Sequence, residues 1–322
     1  QDGRYSFVLN QRKIDVRVSA LPTEYGETFV CRLLDSKKKA LEFEDMGFKG
    51  KYLDMIKEAC GITNGMILVT GPTGSGKTTA LYALLSKLSS PENKVITLEN
   101  PIEYHLEGIS QSQVNEKRDY TFAQGLRAIL RQDPDIVMLG EIRDLETAET
   151  AAQAALTGHI LLSTLHTNNA VETIPRLVNM GLPEFMIAPA MHTIIAQRLA
   201  RRLCEDCRVE KEIPEAERAE IEKLLAEIKK AQPGIEIQIP QKLFYSVGCE
   251  KCSKTGYKGR VSIIEMITLE PAMKDSILAK EPSSRLRELA RKQGMITMEE
   301  DGVLKVLQGV TTLEEVHRVT RA

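Results

Sequence analysis

Gly71-Pro72-Thr73-Gly74-Ser75-Gly76-Lys77-Thr78 fits G-x-x-x-x-G-K-[ST] at every position. The apolar run Met66–Thr70 precedes it, and a helical pattern from Lys77 to about Ser89 follows. Strand, loop, helix is the setting in which that motif has meaning. Glycines let successive backbone N–H groups turn inward around an anion. The helix N-terminus adds the positive end of its dipole. Residues Gly71, Pro72, Thr73, Gly74, Ser75, Gly76, Lys77, Thr78 and Thr79 are therefore expected to cradle phosphate. Lys77 is the point charge for the β- and γ-phosphates of a nucleotide, and Thr78 offers a hydroxyl to Mg²⁺.

Outward from this loop, strands and helices alternate, which predicts an α/β fold with a mostly parallel sheet. Val95–Leu98, Ile136–Leu139 and Ile160–Leu165 read as buried strands. Thr121 with Gln124 forms a capping-box pattern for a helix through about Arg131. The alanine-rich stretch Leu145–Thr157 is helical, with Gly158 placed to end it. On the near side, Tyr5–Leu9, Ile14–Ser19 and Thr28–Leu34 read as strands, with a turn over Leu21–Glu27. Asp35–Lys39 is a polar linker. Towards the far end, Pro214–Lys230 is a charged helical pattern, expected as an exposed arm. Ser283–Lys292, Glu299–Leu307 and Thr312–Arg321 are helices of the tail.

A phosphate loop alone hydrolyses nothing. A carboxylate must activate the attacking water. Ligand sites in open α/β sheets lie outside the carboxyl ends of the strands. Two glutamates stand there. Val95–Leu98 runs into Glu99, with Asn100, Pro101 and Glu103 behind it, and Ile136–Leu139 leads through Gly140 to Glu141. Both are candidates to position or deprotonate that water. His159 and His166 bracket the strand Ile160–Leu165, which makes them candidates for sensing or positioning. Arg127 and Arg131 share one helix face, while Arg17 and Arg32 lie in the front strands.

Six cysteines include two C-x-x-C pairs, Cys204/Cys207 and Cys249/Cys252. Two such knuckles offer four thiolates, a set that suits tetrahedral Zn²⁺ and leaves no coordination position open. The site is therefore expected to be structural. The 41 residues between the pairs exceed the usual roughly 15–20, and the charged helical arm fills the difference. Cys31 and Cys60 are expected in the core.

The 322 residues suggest about two domains, and 42% hydrophobic with 27% charged residues is an ordinary globular balance. A net charge of −2 disfavours a protein held on nucleic acid by bulk charge. Arg198, Arg201, Arg202 and Arg208 form a local basic cluster, but no stable nucleic-acid binding is expected because stacking aromatics are absent beside them. No apolar run reaches the ~18–20 residues of a membrane span. No secretory signal pattern opens the chain. It starts with Gln1 and is expected to be cut at its front.

Taken in order, Gly71–Thr78, Ile96–Glu103, Leu139-Gly140-Glu141-Ile142-Arg143-Asp144 and the segment Thr157-Gly158-His159 to Leu165-His166-Thr167-Asn168 make the chain resemble the assembly ATPases of type II secretion and type IV pilus systems. The resemblance implies a RecA-like phosphate-loop ATPase core at 38–200. In front of it, 1–37 is the C-terminal part of a small N-terminal α+β domain plus linker. A tetracysteine zinc element at 201–260 and a helical C-terminal subdomain at 261–322 follow. It implies a homo-hexameric motor, cytoplasmic and peripheral to the membrane, acting on an inner-membrane platform protein. It also implies that Arg17, Arg32, Arg127 and Arg131 line the nucleotide site. Two positions depart from the family pattern: Asn100 and Asn169 stand where aspartates are usual. Set against that pattern, Glu99 is expected as the hydrolytic base and Glu141 as a Mg²⁺-handling group acting through water. The zinc element resembles extension motors more than retraction motors. A retraction ATPase, a nucleic-acid translocase and a non-hydrolysing nucleotide-dependent scaffold share parts of the pattern.

Overall fold

A computed structural model of the chain describes residues 2–9, 12–35 and 41–321. The front segment forms an antiparallel sheet of β1 (Asp2–Leu9), β2 (Arg12–Thr23) and β3 (Gly26–Asp35), ordered β1-β2-β3. The expected turn over Leu21–Glu27 is tighter than its composition suggests. Pro22 still pairs with Glu27, and the chain reverses between Thr23 and Gly26. Residues 36–39 of the expected linker lie outside the described residues.

The rest is built on a seven-stranded sheet. Its elements begin with α1 (Phe43–Met46), α2 (Lys51–Ala59), β4 (Gly65–Thr70) and α3 (Lys77–Leu88). Then come β5 (Val95–Glu99), β6 (Ser110–Gln113), α4 (Phe122–Leu130), β7 (Ile136–Leu139), α5 (Leu145–Leu156) and β8 (Ile160–Leu165). After α6 (Thr173–Met180) and α7 (Glu184–Ala190) runs the long β9 (Met191–Leu203). A small hairpin of β10 (Val209–Glu212) and β11 (Lys242–Tyr245) brackets α8 (Glu215–Ala231). Finally β12 (Tyr257–Thr268) leads into α9 (Pro271–Leu278), α10 (Ser283–Lys292), α11 (Met298–Leu307) and α12 (Leu313–Thr320).

The sheet order is β12-β9-β4-β8-β7-β5-β6. All neighbours are parallel except β12, which runs antiparallel to β9. Strands β4, β5, β7 and β8 are buried at every position, because helices cover both faces. That is why they read as continuous apolar runs. Helix starts follow local chemistry: Asp144 accepts the Thr147 N–H (2.8 Å) and Thr297 accepts the Glu300 N–H (3.3 Å). Thr121 does cap α4, accepting from Gln124 N–H, but the Gln124 amide turns to Asp119 (3.0 Å) instead of closing a capping box.

Residues 260 and 261 lie within β12, the sheet's edge strand. Two expectations are corrected. Helix α8 is not a free arm: it buries Ile221, Leu225 and Ile228, and its Glu227 carbonyl accepts from Arg291 (2.9 Å). Cys31 is exposed and Cys60 half-buried. Cys31 lies on the front sheet's apolar face with Phe29 and Leu33, which are 57% and 66% exposed.

Candidate functional site

The phosphate loop joins the carboxyl end of β4 to α3. Gly71 has φ +143°, and a Cβ there would meet the Gln197 carbonyl at 2.4 Å and Ser75 Oγ at 2.6 Å. Gly76, at φ +88°, would meet Gln197 Nε2 at 2.7 Å. Neither position tolerates a side chain, because β9 presses on the loop from beneath. Above it lies open space, since a Cβ at Gly74 would meet nothing within 4 Å. Lys77 folds back, its Nζ donating to Gly71 O (2.9 Å) and Pro72 O (3.1 Å). Burial pushes its pKa down, and Glu141 pulls it up.

Lys77, Thr78, Glu99, Glu103, Glu141 and His166 line one cleft of about 140 Å³ at the carboxyl ends of β4, β5, β7 and β8. A second cleft, about 590 Å³, shares His166 and continues over Gly71, Pro72 and Thr73. A third, about 980 Å³, shares Asn100 and Pro101 and opens towards the front sheet at Arg17 and Arg32. The sequence brings these residues together from four strand ends, as the parallel topology requires.

Glu141 is bonded to Arg143 (2.6 Å) and lies 3.7 Å from His166 Nε2. His166 has its pKa lowered, by burial first and by the Lys77 charge next, with Glu141 opposing. Glu99, the expected base, lines the cleft but is already bonded on both oxygens. It is 2% exposed and its oxygens already accept from Tyr82 Oη, Thr97 Oγ1 (2.7 Å) and Gln111 Nε2 (3.1 Å). Three donors leave it little capacity for a water. Glu103 is the freer carboxylate, 29% exposed and facing Arg17 at 3.4 Å. Arg17 also donates to the Ile102 carbonyl (2.9 Å), which ties the front sheet to the cleft.

Other candidates are elsewhere. His159 stands at the opposite end of β8 from His166, beside Gly65, with Nδ1 on the Ala154 carbonyl (2.9 Å). Six strand residues separate the two histidines by roughly 20 Å, so His159 is not in the cleft. Arg127 pairs with Glu146 (2.6 Å) and Arg131 donates to the Arg127 carbonyl (3.1 Å), and neither lines the three clefts. Asn169 accepts the Glu172 N–H (2.9 Å), a local turn bond. Arg176 and Gln197 were not singled out by sequence, yet Arg176 lines the second cleft and Gln197 underlies the loop. Gln197 sits in a strand of mixed polarity that gives no motif signal.

The four cysteines converge. Their sulfurs all lie within 4.8 Å of one another, with pairs at 3.7, 3.8 and 3.9 Å. A tetrahedron with Zn–S bonds of about 2.3 Å has edges of about 3.8 Å. The Cys249 and Gly256 N–H groups point at Cys252 Sγ (3.1 and 3.2 Å). Such donors, Cys249 first, hold the Cys252 thiol down to about 6. The thiol set therefore fits zinc. Two arginines of the basic cluster, Arg201 and Arg208, have partners on the protein itself. Arg201 lies 4.3 Å over Tyr257 and bonds Glu315, while Arg208 lies 4.4 Å over Phe244 and donates to Gly309 O (2.8 Å). Aromatics are thus present beside the basic cluster, contrary to the sequence reading, but arginines cover them.

Fold and site together define a phosphate-loop α/β protein with a four-cysteine element. The family model described as "Type II/IV secretion system protein" matches residues 1–318, and this chain belongs to that family. Type II secretion system protein E of Aeromonas hydrophila is 47% identical over 321 residues, covering 100% of this chain and 62% of that protein. The type IV pilus assembly ATPase PilB of Pseudomonas aeruginosa is 47% identical over 322 residues, covering 100% and 55%. The chain thus spans about three-fifths of such relatives. Among solved structures, the pilus retraction motor PilT with bound ADP matches at TM-score 0.69 and 27% identity, covering 98% of this chain and 77% of that one. The ATPase DotB of Legionella pneumophila matches at TM-score 0.68 and 25% identity, covering 99% and 76%.

Proposed function

We propose that this chain is the ATP-hydrolysing part of a homo-hexameric motor that drives assembly of a type IV pilus or type II secretion pseudopilus. It works from the cytoplasmic side, peripheral to the membrane, through an inner-membrane platform protein. The observation that carries the reading is the convergence of Lys77, Thr78, Glu103, Glu141 and His166 on one cleft. The 47% identity to assembly proteins, with the four-cysteine element, favours extension over retraction. No described helix is long and apolar enough to cross a membrane.

In this reading Lys77 exchanges the Gly71 and Pro72 carbonyls for phosphate oxygens. Its new partners are charged and therefore stronger. Mg²⁺ neutralises charge on the phosphates when bound. The Thr78 hydroxyl and Glu141 carboxylate are the hard oxygen donors that would hold it, Glu141 through water. Glu103 takes the proton of the attacking water, and Glu99 braces the strand end beneath it. Arg17 brings a guanidinium to the γ-phosphate side from the front sheet, so relative movement of that sheet and the core is coupled to the phosphate state. Zinc, held by Cys204, Cys207, Cys249 and Cys252, is structural. Phosphate release from Mg-ATP by the purified, zinc-loaded chain tests the reading. Turnover lost with Lys77→Ala supports it, and no release at saturating Mg-ATP refutes it.

A further inference from the structure

On β12, Glu265 is buried, at 5% exposure. Its register partner is Ala196 on β9, which itself pairs with Thr70, the residue just before the phosphate loop. The carboxylate thus lies at the level of Gly71, two strands away. Burial pushes its pKa up, and a buried carboxylate needs a partner. That partner is the Ala170 backbone N–H, 2.9 Å from Oε1 and 95 residues away in sequence.

Ala170 belongs to the turn that carries His166 and Thr167 into the clefts. The turn is bonded to itself. Thr167 Oγ1 donates to Asn169 O (3.1 Å) and meets Thr173 Oγ1 at 3.0 Å, and Glu172 N–H donates to Asn169 Oδ1 (2.9 Å). Glu265 bonds this turn to the far edge of the sheet. The preceding residue on β12 ties the strand to the tail, since Ile264 N–H donates to Asp301 on α11 (2.7 Å).

We propose that Glu265 is a positioning residue for the phosphate chemistry: from the last strand it holds the His166 turn against Gly71–Thr73 and links that turn to the helical tail. The proposal rests on the nucleotide reading above. Glu265→Gln keeps an acceptor oxygen of the same shape, and Glu265→Leu removes it at similar volume.

Steady-state ATP turnover and residue-resolved hydrogen exchange are measured on the zinc-loaded chain. The Leu variant is expected to lower kcat about tenfold, the worth of one hydrogen bond to a charged group, with KM within about twofold. The Gln variant retains most of the rate. The Ala170 amide is expected to exchange slowly in wild type and the Gln variant, and fast in the Leu variant. Unchanged kcat in the Leu variant, or equal loss in both, overturns the proposal. Should the Leu variant not fold, a fast-exchanging Ala170 amide in wild type overturns it, and a slow one kept by the Gln variant supports it. A wild-type chain without turnover sinks the ATPase reading instead. The exchange contrast between Leu and Gln then decides the tether alone.

Discussion

The phosphate-loop cleft and the four-cysteine knot both sit at the ends of strands of one sheet, and they treat polar atoms in opposite ways. In the cleft, Lys77 is parked on backbone carbonyls and Glu103 is partly open, with free volume above the loop. In the knot the sulfurs are spaced to a closed tetrahedron, with Cys204 and Cys252 buried and N–H donors already aimed at Cys252. A group that must change partners is left lightly held, whereas a group that must keep them is surrounded. Damage to the cleft should therefore remove activity and spare stability, and damage to the knot should do the reverse.

The largest contrast is expected from Lys77→Ala, which removes the cleft's central charge. Nucleotide affinity should fall roughly 10²-fold with the melting temperature unchanged, as titration with a fluorescent nucleotide and calorimetry would show. Cys249→Ser should lose one equivalent of zinc by metal analysis. Its melting temperature should drop by roughly 10 °C, while nucleotide affinity in the folded protein stays within about twofold. A smaller effect is expected for Arg17→Ala. Loss of the guanidinium beside Glu103 should lower turnover several-fold, by about 1 kcal/mol, and leave zinc content untouched. The smallest is a titration. Burial and the Lys77 charge disfavour the imidazolium of His166, so its NMR midpoint should lie below the ordinary value of about 6.5. In Lys77→Ala it should move up.

The parallel part of the fold was legible because β4, β5, β7 and β8 are buried on both faces and therefore uniformly apolar. The strands β9 and β12 were not. They are joined antiparallel at the sheet's edge, and β9 carries Gln197, Arg198, Arg201 and Arg202 among its apolar residues. The cysteine set was readable from spacing alone. The bonds that occupy Glu99 were not, since they come from Tyr82 and Gln111, which reach it from α3 and β6. Likewise, two histidines bracketing one strand look equivalent in sequence, although a strand's length puts only His166 beside the loop. Cys31 misled because an apolar neighbourhood in a strand does not say which face is covered.

The most direct test is the rate of a single ATP turnover in Glu103→Gln and Glu99→Gln, compared at equal nucleotide occupancy. Glu103→Gln should slow hydrolysis by on the order of 10²-fold or more. Glu99→Gln, which turns an acceptor into a donor facing three donors, should lower the melting temperature and slow hydrolysis by less than about tenfold. The opposite ranking, with Glu99→Gln inactive but stable and Glu103→Gln near wild type, would contradict the account.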